Sequence, residues 1–164
     1  MACAARAGVY RSGMPESEHL LVRRIEFVDT DMAGIMHFSN YYRLMEAAET
    51  SFFRALALPL FEEVEGRMIG WPRVRSRCDY HAPLRFNDTV EVHLFVKEIR
   101  TQALTFFFRF RKRRSDGSCE AVARGELITV SATLDPATQA IVTVPLPAIV
   151  RERLAVAPKT AYRA

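Results

Sequence analysis

Between Asn40 and Leu58 the apolar residues Tyr41, Leu44, Met45, Ala48, Phe52, Ala55 and Leu56 recur at steps of three and four, with Glu46, Glu49 and Arg54 between them. At 3.6 residues per turn these positions fall on one face, which predicts a single amphipathic helix of about five turns. Ser39 or Asn40 is placed to cap it, because either side-chain oxygen can accept a first-turn N–H, and Pro59 is expected to end it. No other segment is long enough to serve as a main helix, so whatever else the chain builds must pack against this one.

The remaining patterned segments read as strands. Leu20 to Val28 carries Val22, Ile25 and Phe27 as apolar markers and stops at Asp29. Four β-like runs follow the helix, at 69–80, 89–99, 104–111 and 120–134, then a fifth at 140–144 and a short helix from Pro147 to Leu154. The turn Ser115-Asp116-Gly117-Ser118 is strong hairpin chemistry, since Gly117 tolerates positive φ. A sheet of this kind needs a cover for its apolar face, and the long helix is the one cover available. The expected class is therefore α+β, an antiparallel sheet of five to six strands wrapped around one long central helix.

A chain of 164 residues, 49% of them apolar, suffices for one continuous core. Residues 1–18 lack periodic apolar spacing and are expected to form a flexible N-terminal tail, 19–156 the domain, and 157–164 a C-terminal tail. Cys3, Cys78 and Cys119 show no CxxC spacing and read as reduced thiols, which points to the cytoplasm. No apolar run reaches the roughly 18 residues of a membrane span, so no membrane partner is expected. His19, His81 and His93 share no ligand spacing, so no metal is expected.

The formal charge of +4 suits a polyphosphate-bearing ligand as well as a nucleic acid. The one basic concentration, Arg109-Phe110-Arg111-Lys112-Arg113-Arg114, leads into a hairpin turn and reads as a solvated run that could lie near a polyphosphate; its part from Arg111 to Arg114 lacks the aromatic-basic interleaving of a base-stacking surface. Nucleic acid is not expected as a partner.

Chemistry concentrates between the first strand and the helix, where Asp29, Asp31, Gly34, His37 and Asn40 fall within twelve positions. Free N–H groups in a helix's first turn carry partial positive charge and can stabilise an oxyanion as it forms on a carbonyl. A carboxylate just ahead of that turn could attack the same carbonyl or deprotonate a water aimed at it. Together these are the minimum for acyl transfer. Asp29 is expected to brace the loop, and Asn40 to cap or brace it. His37 could bond a substrate or a catalytic water, and packing alone would account for it equally well.

The run Phe27-Val28-Asp29-Thr30-Asp31-Met32-Ala33-Gly34-Ile35-Met36-His37-Phe38-Ser39-Asn40-Tyr41 resembles the signature of the 4-hydroxybenzoyl-CoA thioesterase family, with its broader acyl-CoA thioesterase branch. The resemblance continues at Glu46, at Gly70-Trp71-Pro72 and at Tyr80-His81-Ala82-Pro83-Leu84-Arg85-Phe86-Asn87-Asp88, covering roughly Val22 to Ile128. It implies a hotdog fold and hydrolysis of an acyl-CoA thioester to a free acid and CoA, with no cofactor. Asp31 matches the catalytic aspartate, nucleophile or general base, and Phe38 the position whose backbone N–H polarises the thioester carbonyl, with His37 beside them. Gly34, Asn40, Tyr41, Gly70, Trp71 and Arg100 are the substrate-binding set it suggests. Gly70 would admit substrate by lacking a Cβ, and Arg100 would meet the CoA phosphates, although Thr101 and Gln102 depart from the basic or serine pair often found there. Glu46 stands where other hotdog enzymes use a carboxylate; a hydrogen-bonding partner for the loop is the preferred reading. The resemblance also implies a homodimer or homotetramer with the site between subunits. The rival is a hotdog module that binds acyl-CoA or acyl-carrier protein without turnover, and Asp31 argues against it.

Overall fold

The computed structural model describes residues 14–64 and 66–163. In chain order the elements are β1 (Glu18–Arg24), a 3-10 turn (Phe27–Asp29), α1 (Phe38–Ala55), β2 (Glu62–Val64), β3 (Arg67–Ile69) and β4 (Arg73–Tyr80). There follow β5 (Thr89–Ile99), β6 (Ala103–Arg113), β7 (Cys119–Val130), β8 (Ala132–Leu134), β9 (Ile141–Thr143), α2 (Ala148–Arg153) and α3 (Lys159–Arg163). Five strands form one antiparallel sheet in the order β1-β5-β6-β7-β4. β2–β3 and β8–β9 are separate two-stranded hairpins, joined by paired backbone bonds between Gly70 and Ala132.

Alternation decides the faces. Val90, Val92, Leu94 and Val96 of β5 and Leu104, Phe106, Phe108 and Phe110 of β6 are fully buried in one core with Met45, Ala48 and Phe52 of α1. The helix thus covers the apolar face of a five-stranded sheet, which is the hotdog arrangement. Met45 of α1 packs over Gly125 of β7, where an added Cβ would collide with Met45 Sδ. Met45 is itself fully buried, so its thioether would have to shift within the packed core. Gly125→Ala is therefore expected to cost about 1–3 kcal/mol by overpacking, read as a lowered midpoint in urea unfolding with an unchanged slope.

Several sequence expectations shift. The apolar phase of the first strand is Leu21 and Ile25, while Val22 and Phe27 are 37% and 77% exposed. Leu21 sits opposite core-facing Val92, which turns Val22 outward, and Ile25 enters the core from beyond the strand, its N–H held by the Asp88 carbonyl. The helix is capped by His37, neither Ser39 nor Asn40, and it stops at Ala55. Ala57, at φ 53°, closes it in a Schellman motif: Leu58 N–H donates to Phe53 O and Ala57 N–H to Arg54 O. Pro59 follows that stop and does not cause it.

The termini also differ from expectation. Most of 1–18 lies outside the described residues, but Glu16 bridges Leu154 and Ser17 accepts from Val96 N–H, so its end is bonded to the domain. Residues 157–163 are no tail, since Ala157 and Tyr162 are buried against Phe95 on the sheet's outer face. Eight residues are too few for a periodic signal, which is why the sequence concealed this docking. Cys78 keeps a free thiol, pushed up to about 11 mainly by burial. Cys119 is disulfide-bonded, which corrects the expectation of three reduced thiols and removes that argument for a reducing compartment. Cys3 lies outside the described residues.

The basic run at 109–114 is largely consumed within the fold. Arg111 and Arg113 pair with fully buried Glu91 at 3.1 and 2.8 Å, Lys112 with Asp88 at 2.8 Å, and Arg114 with Glu120 at 3.2 Å. Among the described residues no helix is long and apolar enough to cross a membrane, and no cluster of His, Cys, Asp or Glu has the make-up of a metal site.

Candidate active site

The loop from Asp29 to His37 is fixed by its own backbone. Asp31 N–H donates to the Ile35 carbonyl and Gly34 N–H to the Asp31 carbonyl, both at 2.9 Å, which closes a tight reversal. Gly34 sits at φ 70°, a region that a residue without Cβ enters freely. Asp31 Oδ1 accepts the Ala33 N–H at 2.8 Å, an Asx turn that pins the carboxylate. Asp29 ties the loop to its neighbours: its Oδ2 accepts from Glu26 N–H at 2.9 Å, and its carbonyl accepts from His37 N–H at 2.9 Å and Asn40 Nδ2 at 2.8 Å. Asn40 is buried, so its side chain braces the loop from inside.

The helix entrance follows directly. His37 Nδ1 lies 2.8 Å from Ser39 Oγ and accepts from Ser39 N–H at 3.4 Å, while Nε2 has no hydrogen-bond partner among the described residues. Asn40 N–H donates to the His37 carbonyl at 2.9 Å. Phe38, the first helical residue, donates its N–H to no acceptor among the described residues. Its carbonyl accepts the Tyr80 hydroxyl at 3.4 Å. Asp31, His37 and Asn40 line an open cleft of about 590 Å³ with Phe27, Val28, Thr30 and Met32. The pinned carboxylate thus shares one opening with His37, the residue that precedes the helix-terminal N–H of Phe38.

Other members of the expected set lie elsewhere. Tyr41 is buried, its ring edge-on to Tyr80 and Phe110, and burial pushes its hydroxyl up to about 12. It is a core residue beneath the helix start. Gly70 and Trp71 line a second cleft, of about 480 Å³, with Glu46, Glu49, Phe53, Phe61 and Arg73. The missing Cβ of Gly70 faces the Phe61 ring at 3.6 Å, so the space there is shared with a side chain of this chain. Arg100 lies in the β5–β6 turn, paired with Glu98 at 2.9 Å, and lines neither cleft.

Glu46 does not reach the loop. It faces the second cleft, where its carboxylate is 3.7 Å from Arg73 Nη2. The sequence reading missed Glu49 and Arg73 altogether. Glu49 is buried and bonds Arg73 Nη2 at 2.6 Å, and burial raises its pKa against the opposing pull of that guanidinium. A carboxylate adjoining core Ala48 was the one available signal.

Comparison with known proteins agrees with this architecture. The sequence profile of the thioesterase-like superfamily matches residues 25–154. The 4-hydroxybenzoyl-CoA thioesterase of Pseudomonas sp. strain CBS-3 is 30% identical over 115 residues, covering 69% of this chain and 82% of that protein. Two crystal structures show the same fold. One is a 4-hydroxybenzoyl-CoA thioesterase carrying an aspartate-to-asparagine substitution in complex with 4-hydroxybenzoyl-CoA (TM-score 0.72, 22% identity, 84% of this chain and 98% of that one). The other is a 1,4-dihydroxy-2-naphthoyl-CoA thioesterase from Synechocystis (TM-score 0.67, 20% identity, 82% and 93%).

Proposed function

Because this chain belongs to the thioesterase-like superfamily and is a thioester hydrolase, we propose that it cleaves an acyl-CoA to a free carboxylic acid and CoA at the cleft beside Asp31. The observation that carries the reading is that Asp31 lines one cleft with His37, the N-cap of α1, after which the Phe38 N–H has no acceptor among the described residues. The thioester carbonyl sits with its oxygen toward the Phe38 N–H, where the helix dipole adds to the hydrogen bond. Asp31 attacks the carbonyl carbon, or removes a proton from a water that does, and the CoA thiolate leaves. His37, which lines the cleft, can bond the substrate or the water, while Gly34 and Asn40 hold the loop in shape.

The acyl group occupies the second cleft, whose walls include Phe53, Leu60, Phe61, Met68 and Trp71. Glu46 and Glu49 stand 8 and 11 residues into α1 from Phe38, hence about 12 and 16 Å along the axis. One chain thus holds the reacting groups and the acyl cleft apart, which fits a site completed between two subunits. The edge of β4 supports a homodimer: among the described residues it pairs only with β7, seven of its eight residues are exposed, and Val74 presents an apolar side chain there. Arg100 docks the CoA phosphates by charge.

Incubating the purified protein with a panel of acyl-CoAs and a thiol-reactive chromophore tests the reaction. Stoichiometric thiol release with at least one acyl group is the expected result. Tight binding of acyl-CoA with no release on any would replace hydrolysis with the carrier-binding rival.

A further inference from the structure

The loop that carries Asp31 hangs from two supports. One is the start of α1, reached through Asp29, His37 and Asn40. The other is a turn at residues 84–88, remote in sequence, which grips the chain on both sides of the loop. Before the loop, Ile25 N–H donates to the Asp88 carbonyl at 2.8 Å and Asn87 N–H to the Ile25 carbonyl at 2.9 Å. After it, Met36 N–H donates to the Leu84 carbonyl at 2.7 Å. Between them, Arg85 Nη1 donates to the Gly34 carbonyl at 3.4 Å. Ile25, Met36 and Leu84 are all buried.

The turn is built around one carboxylate. Asp88 N–H donates to the Arg85 carbonyl at 3.0 Å, and Asn87 inside the turn takes φ 70°, a left-handed conformation that costs most residues energy. Asp88 Oδ2 accepts the Arg85 N–H at 2.7 Å and lies 2.8 Å from Lys112 Nζ. Lys112 holds a place that the pattern of β6 would give to an apolar residue. Leu104, Phe106, Phe108 and Phe110 face α1 at every second position, and Lys112 is next in that phase, opposite fully buried Val90. Its side chain is only 26% exposed, so bringing the ammonium there gives up hydration. Core packing calls for neither this lysine nor a left-handed asparagine. Both hold Asp88 and its turn beneath the loop.

From this geometry, and resting on the reading of Asp31 as the reacting carboxylate, we infer that Asp88, held by Lys112, is a positioning residue for the hydrolysis. It acts through Leu84 and Arg85. The Asp31 turn is closed by its N–H on the Ile35 carbonyl, one residue before Met36, so a displaced Met36 moves the carboxylate. The Phe38 N–H belongs to the helix instead. The turn at 84–88 therefore sets the carboxylate relative to the oxyanion donor, and a misplacement of about 1 Å between reacting groups can cost about 10²-fold. Asp88 lines neither cleft, so the loss falls on kcat and spares KM.

The test compares Asp88→Ala, Asp88→Asn and Lys112→Met with the native protein by two measurements: kcat and KM from thiol release, and amide hydrogen exchange of residues 31–36 without substrate. Asp88→Ala removes the acceptor and should lower kcat by roughly tenfold to 10²-fold at little-changed KM, with faster exchange at Ala33 and Met36. Asp88→Asn keeps an oxygen for the Arg85 N–H and should restore most of kcat. Lys112→Met suits the apolar phase, removes only the ammonium and should give a smaller loss. Tyr162→Ala is the stability control, since it strips a buried ring from the far face of the sheet and should lower the melting temperature without lowering kcat. Native kcat in a folded Asp88→Ala, a loss that Asp88→Asn does not restore, or an equal loss in Tyr162→Ala overturns the inference. If Asp88→Ala fails to fold, native kcat with native exchange in Lys112→Met overturns it. Absence of thiol release by the native protein would defeat the hydrolytic reading, while the exchange rates would still decide whether Asp88 holds the loop.

Discussion

Asp31→Asn is expected to fold normally and to lose at least ~100-fold in turnover, the scale of removing a general base or nucleophile. The substitution is nearly isosteric. The asparagine side-chain oxygen can still accept the Ala33 N–H that Asp31 Oδ1 accepts at 2.8 Å, so the turn survives while the charge and the basicity go. An unchanged melting temperature with collapsed kcat is the expected pair of measurements. Near-normal kcat would remove Asp31 from the chemistry and with it the proposed mechanism.

Phe38→Pro should be of similar size for a different reason. Phe38 is the first residue of α1, and His37 before it has φ −59° and ψ 136°. Proline is well tolerated at a first helical position, and the extended backbone of His37 is what a residue preceding proline adopts. The exchange therefore deletes one N–H, unused within the fold, and spares the helix. If that N–H holds the oxyanion, kcat should fall by about 10²–10³, as for loss of one oxyanion-hole donor. Phe38→Ala is the control, since it removes the ring and keeps the N–H, and it should stay far closer to native kcat. Equal losses in both variants would assign the effect to the side chain and sink the backbone role.

The parts of the fold legible in the sequence were those whose signal is repetitive and local. Met45, Ala48 and Phe52 are spaced as a helix spaces its buried face, and β5 and β6 alternate because their sheet is covered by α1 on one side. The Asp31 loop was legible because its groups lie within a few residues and bond to one another. What escaped depends on partners distant in sequence. The aim of Arg73 is set by its register with β7, which no pattern around Arg73 reveals. Buried Glu49 is explained by that arginine, 24 residues away. Ala57 is a good helix former by composition, yet it takes a left-handed conformation because the Schellman bonds to Phe53 and Arg54 hold it there. His37 is an uncommon cap, chosen here by its bond with Ser39.

The docking of α3 carries a consequence for architecture above the single chain. Ala157 and Tyr162 occupy the outer face of the sheet over Phe95 and Phe107. Two sheets stacked directly lie about 10 Å apart, and a helix with its side chains is itself about 10–12 Å across. The segment from Ala157 to Tyr162 is thus a spacer on that face: where it sits, the sheets of two copies of this chain could not close back to back, and any stacking of copies would fall to the rims, the hairpins or the helix side.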